Sequence, residues 1–555
     1  MATSRPNSVW SSSKGNMTDI DTPTAVTPDA QSEVLTTQHA EKGNEKLGRV
    51  VGGRFIQINQ ESNLHQDHGL LKTIDDTDVP LTLTEMVHKD GQDYIVLHFA
   101  EGDCENPFNW PAGKKIFVCA MLNMMTLFIG LATTAYSSGI GSMTTEFGVP
   151  QLYGQLGLFT FNAACAIAPL FLAPFCELVG RKIVYAGGYL CFTLLFIGLA
   201  LGRNIETIVI LRLLLGLCGC VGTILVGGTF DDMYEPHLRG PPMAMFTYVA
   251  ILGTVGAPIY AGFIDETIGW RWIEGIQGLA NIPLLLCVFI FFPETRGGAR
   301  LHKRAKQLKK ATGDDRYAGP DDLDTKSPKD MLKVSSVKAI RMLATEPVVL
   351  AFGLWIGFAW FVTFLFLSAI PITFQEKRGW SEGVAGLPYI GLCIGTTIGW
   401  AAHHLQMRKY NQIENSDVKA TPEHRLYGAM FGAVWLPIGL FIYSFTQYAF
   451  VHWIGPCIGL VLIAVGIFFV FEATYSYTAD CYGQSASSAI AGQGLVRNML
   501  GAVSPLFASA FFHNLGSQYA GLLLALVATG LSMIAFVMFK FGPQLRARSK
   551  RALVY

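Results

Sequence analysis

Apolar runs of about twenty residues, almost free of charge, recur along this chain from Lys114 onward, and few folds can hold them. The stretch IFVCAMLNMMTLFIGLATTAY, residues 116–136, has the length at which a helix crosses the ~30 Å of a bilayer's hydrocarbon. Similar runs cover roughly 115–138, 154–176, 183–202, 208–230, 242–263 and 273–292, then 347–371, 384–402, 426–446, 453–478, 486–512 and 519–540. Inside hydrocarbon every backbone N–H and C=O must find a partner within the chain, and a helix supplies those partners itself. The sequence therefore predicts an all-α membrane protein with 12 transmembrane helices, numbered here as spans 1 to 12. Composition agrees, since 51% of the 555 residues are hydrophobic, 15% are charged and mean hydropathy is +0.36.

A polar insert from Glu294 to about Thr345 separates spans 6 and 7. The expected domains are a disordered cytosolic tail (1–113), a six-helix bundle (114–293), a cytosolic central loop (294–345), a second six-helix bundle (346–541) and a cytosolic C-terminal tail (542–555). An even number of spans puts both termini on one side, and basic residues choose which. From Lys114 onward, twenty-seven Lys and Arg lie on the side of the termini, against Arg203, Arg271, Lys377 and Arg378 on the other. The positive-inside rule then makes both termini and the central loop cytosolic in a multi-pass cell-membrane protein. Formal net charge is zero, so nothing favours phosphate neutralisation, and nucleic acid is not an expected partner. The 11 cysteines lie mostly in apolar runs without metal-ligand spacing and read as small hydrophobes.

The halves echo each other. Asp232-Met-Tyr234 at the end of span 4 recurs as Asp480-Cys-Tyr482 at the end of span 10, 248 positions later. Gly253 and Pro258 recur as Gly501 and Pro505. Matching offsets in matching spans suggest parallel repeats, as in transporters that rock two bundles around a midplane site.

Between spans 2 and 3, Ala173-Pro-Phe-Cys-Glu177-Leu-Val-Gly180-Arg181-Lys182 resembles the G-x-x-x-D-x-x-G-R-[RK] loop of the major facilitator superfamily. Arg212 and Gly216 in LRLLLGLCG are similar to its span 4 motif, and GTVGAPIYAGF to its span 5 antiporter motif. Asn106-Pro-Phe-Asn-Trp110, Gly269-Trp-Arg-Trp272, Pro293-Glu-Thr295 and Pro437-Ile-Gly-Leu-Phe441 resemble the fungal drug:proton antiporter branch. Glu177 stands where an Asp is usual, Leu215 replaces a polar residue, and Ala257 and Ala261 replace glycines. The resemblance implies two six-helix bundles around a cavity and no cofactor. It also implies a monomer in a fungal plasma membrane that exports a small organic molecule, such as a drug, toxin, metabolite or organic acid, in exchange for protons. Symport, uniport and a signalling transceptor are the alternatives.

It further implies an inner gate built from Glu177, Gly180, Arg181 and Lys182, with Asp232 as the partner of Arg181. The plainer reading is a basic anchor between two spans. Gly256, Pro258 and Gly262 punctuate span 5, either to bend it over one side of the cavity or merely to allow close packing. Ionisable groups inside spans cost ~2.5–3.5 kcal/mol on insertion scales, which singles out Arg212, Glu472 and Arg497. Arg212 has no acid in spans 1 to 3. Glu472 and Arg497 sit at similar depth, so they are expected to pair, with Glu472 as proton carrier. The three together are formally +1, which favours an anionic or amphipathic substrate over a polycation. Asn123, Gln155, Asn162, Trp355, Trp360 and Tyr475 could add hydrogen bonds and ring faces to the pathway. His403-His404 and His65-x-x-His68 read as surface histidines, not metal sites, and no nucleophile elbow suggests a membrane enzyme.

Overall fold

The computed structural model describes residues 48–51, 54–57, 82–89, 91–100, 102–223, 225–235, 238–323, 328–414, 421–549 and 552. Among these, eleven helices are long and apolar enough to cross a membrane, and a twelfth span is the pair Gln151–Ile167 and Pro169–Val179, bent by 47°. Pro169 cannot donate to the ladder, and the helix turns there. Most observed spans begin and end within a few residues of the expected ones, as Ala112–Ala135 does for span 1, but spans 8 and 12 run on past their expected ends, to Glu414 and Arg548. Single glycines join spans 2 to 3 and 5 to 6. Gly180 has φ 95° and Gly269 has φ 91°, a region costly for any residue with a Cβ.

Spans 1 and 5, 2 and 4, and 3 and 6 pack as neighbours in the first half, and 7 and 11, 8 and 10, and 9 and 12 repeat those pairings in the second. These are the two six-helix bundles. The bundles meet through spans 2 and 11 and spans 5 and 8, a pairing that is itself symmetric under exchange of the halves. Large apolar side chains such as Ile183, Leu279 and Ile290 cover the outer surface, as expected where lipid replaces water. Cys191 and Cys287 lie on that surface too, whereas Cys119, Cys165, Cys176, Cys220 and Cys481 are buried, and all eleven cysteines are free thiols.

Part of the segment expected as a disordered tail is built into strands. Gly48–Val51 (β1) pairs with Arg54–Gln57 (β2), and Thr82–Lys89 (β3) forms an antiparallel hairpin with Gln92–Phe99 (β4). Tyr317–Ala318 (β5), from the central segment, extends that hairpin in parallel, with Ile95 opposite Tyr317 and Val96 opposite Ala318. Leu97 packs against Leu301, Ala305 and Leu308 of the central helix Gly297–Thr312. Arg304 of that helix, 2% exposed, bonds Asp103 at 2.9 Å and Glu105 at 2.6 Å. The central loop is thus largely helical, with a second helix at Pro328–Thr345. A composition averaged over 113 residues conceals the short run DYIVLHF, whose apolar side chains have this helix to lie on. His65 and His68 lie outside the described residues.

Candidate functional site

Two faces of the molecule matter. The basic face carries the central segment and the turn between spans 2 and 3, and the far face is opposite. On the basic face the Arg181 guanidinium, nearly fully buried, bonds Asp232 at the end of span 4. Glu294, just past span 6, accepts the Arg181 N–H at 2.9 Å and the Lys182 N–H at 3.0 Å. Those are free donors at the start of span 3, where a carboxylate also meets the positive end of the helix dipole. Lys182 therefore enters through its backbone. Glu177, expected in this cluster, is exposed, because Cys176 and Gly180 occupy the inward side of the turn. Glu294 takes its place.

The second bundle repeats the ion pair. Arg425, at the start of span 9 (Leu426–Thr446), bonds Asp480 at the end of span 10 (Ile454–Tyr482). The Asp232 and Asp480 echo is one clasp made twice, although the sequence reading missed Arg425. The central helix Pro328–Thr345 lies across both bundles on this side. Here Ser336 Oγ donates to the Leu170 carbonyl at 2.7 Å and Tyr248 lies 5.2 Å from Trp400 between ring centroids, while nearer mid-membrane Asn498 Nδ2 donates to the Cys165 carbonyl at 3.0 Å.

Toward the far face the bundles enclose a cavity of about 220 Å³. Ser137 beyond span 1, Gln155 of span 2, Ser368 and Gln375 of span 7, Tyr389 of span 8 and Ser509 of span 11 give it polar walls. Glu376 and Glu382 stand in its lining, and no Lys, Arg or His does among the described residues. Pro258 lines it where the helix Gly240–Gly256 gives way to Pro258–Ile268. Gly256 has only loose contacts, but a Cβ on Gly262 would lie 2.8 Å from the Glu382 carbonyl oxygen. Spans 5 and 8 therefore touch backbone to backbone at this end, and Glu266 accepts the Gly383 N–H at 3.0 Å. Beside span 6, Glu146 accepts bonds from Arg271 and Trp270, which hold its carboxyl below the ordinary range.

Arg212 is fully buried. Its guanidinium donates to the Ala132 carbonyl at 2.9 Å and the Thr133 carbonyl at 3.0 Å, the unpaired end of span 1, and weakly to Gly157 at 3.4 Å. The rings of Tyr136 and Phe161 lie 4.4 and 4.7 Å from it. Glu274 of span 6, 3% exposed, is the acidic residue whose charge, when ionised, acts on Arg212. Glu274 is the fifth residue of Trp270–Phe291, about one turn from the far end of the span.

Arg497 and Glu472 do not pair. Arg497 donates to the Tyr475 hydroxyl and to Asn498 Oδ1, beneath the rings of Trp360 and Phe471. Glu472 accepts the Ser476 hydroxyl at 2.5 Å and faces His403 of span 8 (Tyr389–Glu414) at 3.8 Å. Tyr475 and Glu472 are three residues apart, which turns them about 60° from each other around the helix. Equal depth did not bring Arg497 and Glu472 to the same side. His403, read as a surface residue, is buried; only His404 is exposed. Asn162 bonds the Leu158 carbonyl of its own helix at 3.1 Å, and Asn123 is half-buried in span 1. Of the polar and aromatic candidates, Gln155 lines the far cavity, and Asn123, Asn162, Trp355, Trp360 and Tyr475 do not.

Two bundles, a clasp repeated in each and a cavity between them define a transporter, and comparison with known proteins agrees. The family description "Major Facilitator Superfamily" matches residues 117–505. The "MFS-type transporter oryN" of Aspergillus oryzae is 32% identical over 474 residues, which cover 85% of this chain and 91% of that one. The "Multidrug transporter FLR2" of Candida glabrata is 32% identical, with coverage of 82% and 79%, and the "Efflux pump FUB11" of Gibberella moniliformis is 31% identical, with coverage of 82% and 77%. The chain belongs to the Major Facilitator Superfamily, and it is a multi-pass membrane transporter of small molecules.

Proposed function

We propose that this protein exports a small organic molecule in exchange for protons, as a monomer of the plasma membrane with its basic face in the cytosol. The observation that carries the reading is the asymmetry of closure. Contacts between the bundles close the molecule from mid-membrane to the basic face, while the cavity of about 220 Å³ lies toward the far face, where an exporter releases its cargo. Relatives named as an efflux pump and a multidrug transporter support the direction. The basic residues crowded on one face support the orientation. Arg181 with Asp232 and Glu294 in the first bundle, and Arg425 with Asp480 in the second, brace the span ends of each bundle on the face that opens for loading. Glu382 in the lining, beside Glu376 whose carboxylate His513 meets at 2.9 Å, suits a neutral or cationic cargo better than the anion that the net charge of three buried residues suggested.

Inverted membrane vesicles from overexpressing cells test the reading. Acidifying their lumen should drive uptake of the exported compound, identified by comparing deletion and overexpression cells for resistance and secretion. Uptake that ignores the pH gradient would leave a uniporter, and uptake in the opposite direction a symporter.

A further inference from the structure

Inside the second bundle, between spans 8, 9 and 10 and apart from the cleft between the bundles, lies a void of about 10 Å³, room for one water. His403, Gln406, Met407, Arg425, Glu472 and Ser476 wall it. His403 is 2% exposed, and neither ring nitrogen has a hydrogen-bond partner. Its Nε2 stands 3.8 Å from Glu472 Oε1, beyond hydrogen-bond reach. Gln406 Oε1 is also buried and unpartnered. Glu472, 3% exposed, receives one side-chain bond, from Ser476. An imidazole with no partner and a carboxylate with one are expensive to bury as they stand. One water between them, with a proton to share, satisfies both.

We propose that His403 and Glu472 form a proton-binding site within the second bundle, reached from the basic face through this one-water void. The other charged groups around it are engaged. Arg425 holds Asp480, Glu423 on the same segment holds Arg546, and His404 turns to the Trp400 carbonyl. From span 5, which also packs on span 8, Tyr248 offers its hydroxyl to Thr397. Met407 links the void to the rocking of the bundles. A Cβ on Gly240, at the start of span 5, would lie 3.0 Å from Met407 Cε, so the first bundle backs this wall. When the bundles part on the basic face, Met407 loses that support and the void gains a path to solvent. A proton then passes from hydronium to the enclosed water and on to His403 Nε2 or Glu472, and it leaves by the reverse route.

The role in transport rests on the proton-coupled reading above, but the site is testable without cargo. Full-length protein in lipid nanodiscs would be followed by infrared difference spectroscopy between acid and alkaline buffer. A protonated-carboxyl band should appear on acidification, vanish in E472Q, shift its midpoint by about one pH unit or more in H403Q, and persist unchanged in E423Q. M407A should speed its response to a pH jump several-fold. A band that survives E472Q, or an H403Q midpoint that stays in place, overturns the site. Should E472Q fail to fold, E472D keeps the carboxyl at shorter reach and must move the midpoint; an unmoved one is equally fatal. A band that behaves as expected upholds the site even if export proves independent of the pH gradient, which would sink the coupled reading alone.

Discussion

Arg212 shows how one residue can be both buried and charged. It caps the negative end of span 1, spreads over two aromatic faces and shares the bundle with Glu274. Truncation leaves carbonyls and a carboxylate without compensation, so R212A should lower unfolding stability by about 3–5 kcal/mol in detergent. Adding E274Q should recover part of that loss, and a strictly additive double mutant would remove Glu274 as counter-charge. On the basic face, E294Q should weaken two backbone bonds to a charged acceptor, worth about 1.5–3 kcal/mol each, and slow transport at normal surface expression. E177Q should transport normally, and a slow E177Q would return Glu177 to the gate. The Arg181 and Asp232 pair was legible because both residues belong to recurring local patterns. Glu294, Arg425 and His403 were not, because nothing in the chain around each names the partner it meets only in the fold. Depth counting placed Glu472 beside Arg497 along the membrane normal but said nothing of the rotation that separates them.

Between elements, the contact of spans 5 and 8 depends on an absent side chain. Gly262 meets the Glu382 carbonyl at a distance that excludes a Cβ, so G262L must push the spans apart on the far face. A cysteine at Ser509, in a background without native cysteines, should then react several-fold faster with an impermeant maleimide. Unchanged labelling would mean that this contact does not limit access. Beyond the spans, L97D places a charge where the β3–β4 hairpin meets the central helix, at a cost of about 2–5 kcal/mol. New proteolytic cuts should appear near residues 82–100, and an uncut L97D protein would show that the buried ion pairs of Arg304 suffice. Span positions could be read from length and hydropathy alone. The hairpin could not, because its apolar side is completed by a helix from the middle of the chain.

At the scale of the molecule, the repeated pairing of spans and the lopsided distribution of Lys and Arg make one prediction about sidedness. Tags at Met1, Gly313 and Tyr555 should all be protected in intact cells, while a tag at Thr145 should be reachable from outside. A Gly313 tag labelled from outside would sink the arrangement. The sheet that joins the tail to the central segment sets a timetable as well. Strand β4 is made before any span, and its parallel partner at Tyr317 follows about two hundred residues later. At about 5–20 residues per second the ribosome needs roughly 10 to 45 s to deliver it. For that time β4 has an open edge and Leu97 lacks the helix that covers it, while the first bundle is already entering the bilayer. A nascent chain halted before residue 317 would keep that edge unfinished.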